Sequence, residues 1–527
     1  MSSNYLLAID AGTGSVRAVL FDLKGSQTAC VQEEWEHKED PDYPGSMDFD
    51  WSQNWDLAAS CIRRVISENN VNPREIAAIS TTCMREGIVL YDKEGREIWA
   101  CANVDARSND EVKQLIQKDP ELERLLYQES GQSFALDAIP RLLWVKNKLP
   151  DQYEKTAYIG MFNDWLIYKL TGILAVEPSN GSTTGLFRLA SRTWNPEINE
   201  RCGLRTDLFP PVKECGTVIG KTMAGLQPST GLPEGIPVVA GGGDAQLGCI
   251  GVGVVNPGEA AVFGGSFWQY EYNTDTPIMD PDCRVRVNCH AIPSLWQYEA
   301  LAFKPGLVMR WYRDSFCSAE KKLAAETGRN VYDLLNEEAE KIPAGCYGMM
   351  CAFSDIMNFM KWKHAAPSFS NFELDSARFN HYTFYRAILE NTALVTKGHL
   401  ELVQSTTGNL PEEITFAGGA ANSHLWAQIL SDVLGIPVNI PKVKEATALG
   451  AAIIAGYGIG LYPDIRQTAK DLVVIETRIT PDMEKHKRYG EIYEAWREFY
   501  KMQLTLCDRR ITKNMWAAPG LLTKRRE

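Results

Sequence analysis

The stretch Asp10-Ala-Gly-Thr-Gly-Ser-Val-Arg17 brings a carboxylate, two glycines, two hydroxyls and a guanidinium together. Backbone amides left uncovered by glycine can converge on an anion. Gly12, Thr13, Gly14, Ser15 and Arg17 are therefore candidates to cradle nucleotide phosphates, and Asp10 to hold a magnesium ion directly or through water. The competing reading is a hairpin turn whose Asp and Thr satisfy local backbone groups. The strand before the turn, and the Ser and Arg within it, favour phosphate binding.

A second carboxylate stands in Gly241-Gly-Gly-Asp244-Ala-Gln246. Behind three glycines at a strand end, Asp244 can reach a cleft uncrowded and accept a proton from an alcohol attacking a phosphoryl group. It can equally be a helix N-cap, and this stretch alone leaves the two readings even. Met84-Arg85-Glu86-Gly87 suits hydrogen bonding to a polyol or carbonyl compound, or a partly buried ion pair. Gly418-Gly419-Ala-Ala-Asn422-Ser423 permits a close approach of adenosine or its phosphates, or is a strand-to-helix turn capped by Asn422 or Ser423.

Two other nucleotide motifs fail. A dinucleotide fingerprint needs a third glycine and a helix after the turn, whereas position 17 is Arg and Val16 to Phe21 reads as a strand. Gly220-Lys221-Thr222 matches the end of a P-loop, but Cys215 stands where its first glycine belongs, so it reads as a turn.

The elements that must carry these groups are partly legible. Strands are expected at Tyr5 to Ile9, Val16 to Phe21, Thr28 to Glu34, Ile76 to Thr82 and Ile88 to Tyr91, with a helix from about Asn54 to Ser67. A strand ending in small residues recurs at Glu259 to Gly264, and strand-to-glycine junctions near Gly418. These suggest two similar mixed α/β halves, 1–255 and 256–527, with a cleft between them. The run Glu445 to Gly456, rich in Ala and Gly, predicts a helix packed close to a neighbouring backbone. Pro481 to Leu504 predicts an amphipathic helix whose aromatic stripe packs the core.

Composition excludes several classes. The 527 residues, 45% hydrophobic and 23% charged, describe a globular chain rather than a disordered or fibrous one. A net charge of −13 makes nucleic acid and anionic membrane surfaces poor partners. No stretch approaches the ~20 apolar residues of a membrane span, and the N-terminus lacks the basic region of a signal peptide. The 13 cysteines are scattered without a C-x-x-C pair, pointing to reduced thiols in the cytoplasm. None of the seven histidines forms a metal-spaced cluster.

In order and spacing these motifs resemble the FGGY carbohydrate kinases across nearly the whole chain. The resemblance implies two actin-like (ribonuclease H-like) ATPase domains flanking a cleft, with ATP and Mg2+ as cofactors. It also implies a second phosphate loop at Gly264, Gly265 and Ser266, a nucleotide-side glycine at Gly306 and an adenosine loop at Gly418, Gly419, Asn422 and Ser423. Asp244 would be the catalytic base, Asp10 and Asp244 would hold the metal, and Arg85, Glu86, Asp244 and Gln246 would bind the acceptor. Arg310, in place of a more neutral residue, would touch the nucleotide or pair with Asp314.

Strings such as Met84 to Tyr91, Ile98 to Arg107, Ile139 to Trp144 and His364 to Phe369 are similar to the autoinducer-2 kinase branch of that family. That likeness implies phosphorylation of the terminal hydroxyl of 4,5-dihydroxy-2,3-pentanedione. The tyrosine that helps hold glycerol in glycerol kinases is missing, with Leu136 as its match, and Ala245 stands where Gln is frequent. Both departures speak against glycerol. The alternatives are another sugar kinase of the family, or an ATP-binding regulator without transfer activity.

Overall fold

The computed structural model describes residues 4–135 and 137–521. Leu136 therefore lies outside the described residues. Two sheets dominate. The first runs in the order Val218–Lys221, Pro237–Gly243, Ile76–Cys83, Tyr5–Ala11, Ser15–Asp22 and Gln27–Glu34. Tyr5–Ala11, Ile76–Cys83 and Pro237–Gly243 are mutually parallel, and the last two strands of that order form an antiparallel meander with them. Central parallel strands are covered on both faces, which is why Leu6 to Ile9 is continuously apolar. The edge strand Gln27–Glu34 instead alternates exposed and buried residues through much of its length.

The second sheet repeats that plan. Ala260–Gly264, Trp268–Thr274 and Trp296–Ala302 form the meander, while Ile414–Ala417 and Val438–Pro441 add parallel strands. Ile475–Ile479 closes one edge and Arg286–Cys289 the other. The repeat is the topology expected of two ribonuclease H-like units. Gly220-Lys221, expected in a turn, belongs instead to the edge strand Val218–Lys221, whose exposed residues hide its pairing from a hydrophobic pattern.

In each unit the last parallel strand feeds a helix: Asp244–Gly251 in the first, Ala446–Gly458 in the second. These two helices cross between the sheets at backbone distance. A Cβ on Gly251 would lie 1.8 Å from Ala446 O, and one on Gly450 would lie 1.9 Å from Leu247 O. The small residues read from the sequence are thus required by the crossing. Helix Met483–Asp508 buries Tyr489, Tyr493, Trp496 and Tyr500 in the second core, as its stripe predicts. Among the described residues no helix is long and apolar enough to cross a membrane.

Candidate active site

The parallel strands of each sheet point their carboxyl ends into one cleft of about 790 Å³, the edge at which open α/β sheets bind ligands. The first unit contributes Thr13, Arg85, Glu86 and Asp244, each from just beyond one of its parallel strands. The second contributes Gly264, Gly265, Ser266, Gly418 and Gly419 from two adjacent strand ends. These glycine turns touch: a Cβ on Gly418, where φ is +86°, would fall 2.6 Å from Gly264 O. Gly306 backs the same turn, its own Cβ position lying 2.1 Å from Gly265 O. Side chains larger than hydrogen would push the loops apart.

The cleft floor is an ion cluster drawn from both units. Arg85 Nε donates to Asp244 Oδ1 at 3.0 Å, and Arg85 Nη1 donates to Glu299. Arg286 Nη1 donates to Glu86, and its other nitrogens donate to Gln132 Oε1 at 3.0 and 2.7 Å. Each member of the Arg85-Glu86 pair is therefore held by an opposite charge from the second sheet. Burial opposes the charge on Glu299, but Arg85 and Arg286 outweigh it and hold the carboxyl below the usual range. Asp244 is raised instead, because burial by the cleft walls exceeds the pull of Arg85.

Asp244 Oδ1 also accepts from Ala245 N at 2.8 Å. Its Oδ2 has no partner among the described residues, and 39% of the side chain is exposed. One oxygen is fixed while the other is open to a ligand. Glu86 sits in the left-handed region at φ +70°, a conformation that costs a non-glycine residue on the order of 1–3 kcal/mol. Buried Arg141 compensates, donating to Glu86 O and, at 2.7 and 2.9 Å, to the carbonyls of Asn103 and Asp105. A Cβ on Gly87 would meet the Phe162 ring at 2.3 Å, so the turn after Glu86 needs glycine as well.

Asp10 lies at the end of Tyr5–Ala11. Burial, reinforced by nearby Asp244 and Glu445 and opposed by Arg17, pushes its carboxyl up to about 7. The Asp244 charge that helps raise Asp10 shows the two carboxylates to be near one another, and two hard oxygen donors so placed suit a divalent cation completed by phosphate and water.

Family models match two stretches: the FGGY family of carbohydrate kinases, N-terminal domain, over residues 5–251, and its C-terminal domain over 270–459. The chain belongs to the FGGY family of carbohydrate kinases. It is 49% identical over 521 residues to the autoinducer-2 kinase of Escherichia coli (strain K12), covering 99% of this chain and 98% of that protein. The autoinducer-2 kinase of Yersinia enterocolitica is also 49% identical, over 523 residues, with the same coverage. Xylulose kinase from Rhodospirillum rubrum superposes with a TM-score of 0.82 at 24% identity, covering 96% of this chain and 99% of that one. Plasmodium falciparum glycerol kinase with ADP gives 0.82 at 19% identity, covering 95% and 98%. Both share the fold.

Within this FGGY cleft the expected residues separate into two groups. Thr13, Arg85, Glu86, Asp244, Gly264, Gly265, Ser266, Gly418 and Gly419 line it. Asp10, Gly12, Gly14, Ser15, Arg17, Gly306, Asn422 and Ser423 do not. Arg17 is the cross-strand neighbour of Asp10 and lies 3.6 Å from its carboxylate. It also donates to Glu445 Oε2 at 2.5 Å, so its charge is spent between the units rather than offered to phosphate. Ser423 caps helix His424–Leu434 through Trp426 N, which is the capping reading of that turn.

Gln246 is not among the residues that line the cleft. It is fully buried, and both of its amide atoms lack partners. Its Oε1 lies 2.4 Å from the Cβ position of Gly243, the residue before Asp244, and Arg85 Cδ approaches the same position at 2.9 Å. Arg310 is exposed, and Asp314 pairs with Arg313 and Lys321 instead of with Arg310.

The sequence reading missed Glu299, Arg286, Lys304 and Arg141. Lys304 lines the cleft, half-buried, and is the one cation among the described lining residues with no carboxylate partner. Burial lowers its ammonium pKa. Its only sequence signal is its place immediately before Pro305, the first residue of helix Pro305–Phe316.

Proposed function

We propose that the protein is an autoinducer-2 kinase, transferring the γ-phosphoryl group of ATP to the terminal hydroxyl of linear 4,5-dihydroxy-2,3-pentanedione. The observation that carries the reading is the half-committed Asp244 carboxylate beside Arg85 and Glu86, opposite the two glycine turns. Likeness to the named autoinducer-2 kinases over nearly full length supports the choice of acceptor. We place the boundary between the units at 255/256 and the protein in the cytoplasm, a location supported by its unpaired, mostly buried thiols.

In this mechanism Arg85 and Glu86 orient the acceptor, Arg85 donating to its oxygens and Glu86 accepting from a hydroxyl. Asp244 Oδ2 takes the terminal hydroxyl proton as that oxygen bonds to phosphorus and the bond to the leaving ADP oxygen breaks. Backbone amides at Thr13, of Gly264 to Ser266 and of Gly418 to Gly419, together with Lys304 Nζ, stabilise negative charge on the phosphates. Asp10 and Asp244 would hold Mg2+, which supplies positive charge to the phosphoryl oxygens when bound. Apposition of the two units keeps water from the phosphoryl group, which otherwise would be hydrolysed.

The test is ADP release by the purified protein with dihydroxypentanedione, xylulose, ribulose and glycerol as acceptors. The expected result is the highest kcat/KM with dihydroxypentanedione. A higher value with any of the other three overturns the acceptor assignment, and ADP release with none overturns the kinase reading.

A further inference from the structure

Beyond the ion cluster the cleft turns apolar. Residues 299, 301 and 303 follow the same side of the strand Trp296–Ala302 and its exit, about 7 Å apart in turn. They read Glu, Leu, Phe, so one strand face passes from the charged floor to a hydrophobic wall. The wall is completed from far along the chain. Strand Asn514–Ala517 pairs with Lys363–Ala365, placing Trp516 opposite His364. The Trp516 ring lies 4.9 Å from Phe303 and 4.6 Å from Trp362, and Trp516 and Pro519 both line the cleft.

This C-terminal segment is a strap between the units. Ala518 N donates to Trp362 O at 2.9 Å in the second unit. Gly520 N donates to Asn109 Oδ1 at 2.7 Å in the first, and a Cβ on Gly520 would meet Val112 at 2.5 Å. The cluster beneath it contains Ala135 from the first unit with Phe303, Phe359 and Trp362 from the second. The strap lies beyond residue 459, where the match to the family model ends.

We infer that Trp516, with Leu301, Phe303 and Trp362, forms an apolar end-subsite that receives the methyl ketone end of the acceptor. The inference rests on the acceptor proposed above, a short chain whose one end carries hydroxyls and whose other end is a methyl group. The charged floor takes the hydroxyl end at Asp244, and the aromatic wall faces the methyl. A pentulose presents a hydroxymethyl group there, with no polar side chain among these four wall residues to bond it except the indole nitrogens. Trp362 Nε1 is already committed to His364 Nε2 at 2.7 Å. Rejecting a buried hydroxyl by an apolar pocket is worth about 10²-fold. Trp516 is therefore a specificity-determining residue, and the strap is the device that brings it to the site.

The experiment compares kcat/KM for dihydroxypentanedione and xylulose, at saturating ATP, in the full-length wild type, Trp516→Ala and Trp516→Phe. In the wild type the dione is preferred. Trp516→Ala is expected to lose about 10- to 100-fold on the dione through KM, with xylulose unchanged or improved and the KM for ATP unaltered. Trp516→Phe, keeping an aromatic wall, retains the preference and controls for folding. Asn109→Ala, which releases the strap without touching the cleft, is expected to shift the preference in the same direction. Equal losses on both acceptors, or a raised KM for ATP in place of a raised KM for the dione, overturn the subsite while leaving the kinase reading intact. A wild type that does not prefer the dione overturns the acceptor assignment and the subsite with it.

Discussion

Arg85 Nε and Asp244 Oδ1 stand 3.0 Å apart, joining two turns that are 159 residues apart in the chain. The bond fixes one carboxylate oxygen and leaves the other free, and in the proposed mechanism it places the cation that would orient an acceptor beside the group that would deprotonate it. Arg85 is in turn shared with Glu299 of the second sheet. The chemistry of the first unit thus depends on the second being in place.

Asp244→Asn keeps the size of the side chain and its bond to Arg85 but removes the base. Turnover is expected to fall by about 10²- to 10⁴-fold, while ADP affinity measured by calorimetry stays within a few-fold of the wild type. Normal turnover in this variant would falsify the assignment of Asp244.

Glu299→Gln tests the support from across the cleft. The ion pair with Arg85 becomes a bond from a cation to a neutral amide oxygen, a loss of up to about 1.5–3 kcal/mol if all of it is felt in the transition state. That corresponds to roughly 10- to 100-fold in kcat/KM. Because the Glu299 charge raises the Asp244 carboxyl, its removal is expected to move the acidic limb of the kcat profile to lower pH. A pH profile superimposable on the wild type would show that Glu299 does not tune the base.

Gly450→Ala probes the helix crossing. The added carbon would sit 1.9 Å from Leu247 O, so the helices must separate, at about 1–3 kcal/mol or more. Urea unfolding is expected to show the loss. Leu247 follows Asp244 on the displaced helix, so kcat should fall as well. Wild-type stability would mean that the two units do not cross at this glycine.

His399 gives a pH signature. It is buried, with its Nδ1 unpartnered, and burial pulls the imidazole down to about 3 from its ordinary 6.5. A depressed folded pKa leaves stability intact above about 6.5 and removes it as pH falls toward 3, at about 1.4 kcal/mol per unit. His399→Gln lacks this liability. The Tm of the variant relative to the wild type is therefore expected to rise between pH 7 and pH 5, and a constant difference would contradict a neutral buried imidazole.

The local chemistry was legible in the order of the residues. A strand that ends in glycines must turn, and Asp10, Arg85, Asp244, Gly264 and Gly418 are all set at strand ends by signals within a few neighbouring residues. The Ala- and Gly-rich helix announced its own close crossing, and the aromatic stripe of Met483–Asp508 announced its core. Which of these groups face one another depends on long-range packing. Glu299 lies 214 residues from Arg85 in sequence, and in the chain it is one polar residue on a strand whose exposed or buried face depends on what packs there. Arg17 looked free because its capture needs Glu445 from the other unit. Trp516 joins the cleft by a strand pairing with residues about 150 positions earlier. Patterns spanning a few residues carry turns and faces, whereas contacts between distant segments are fixed only by the packing of the whole chain.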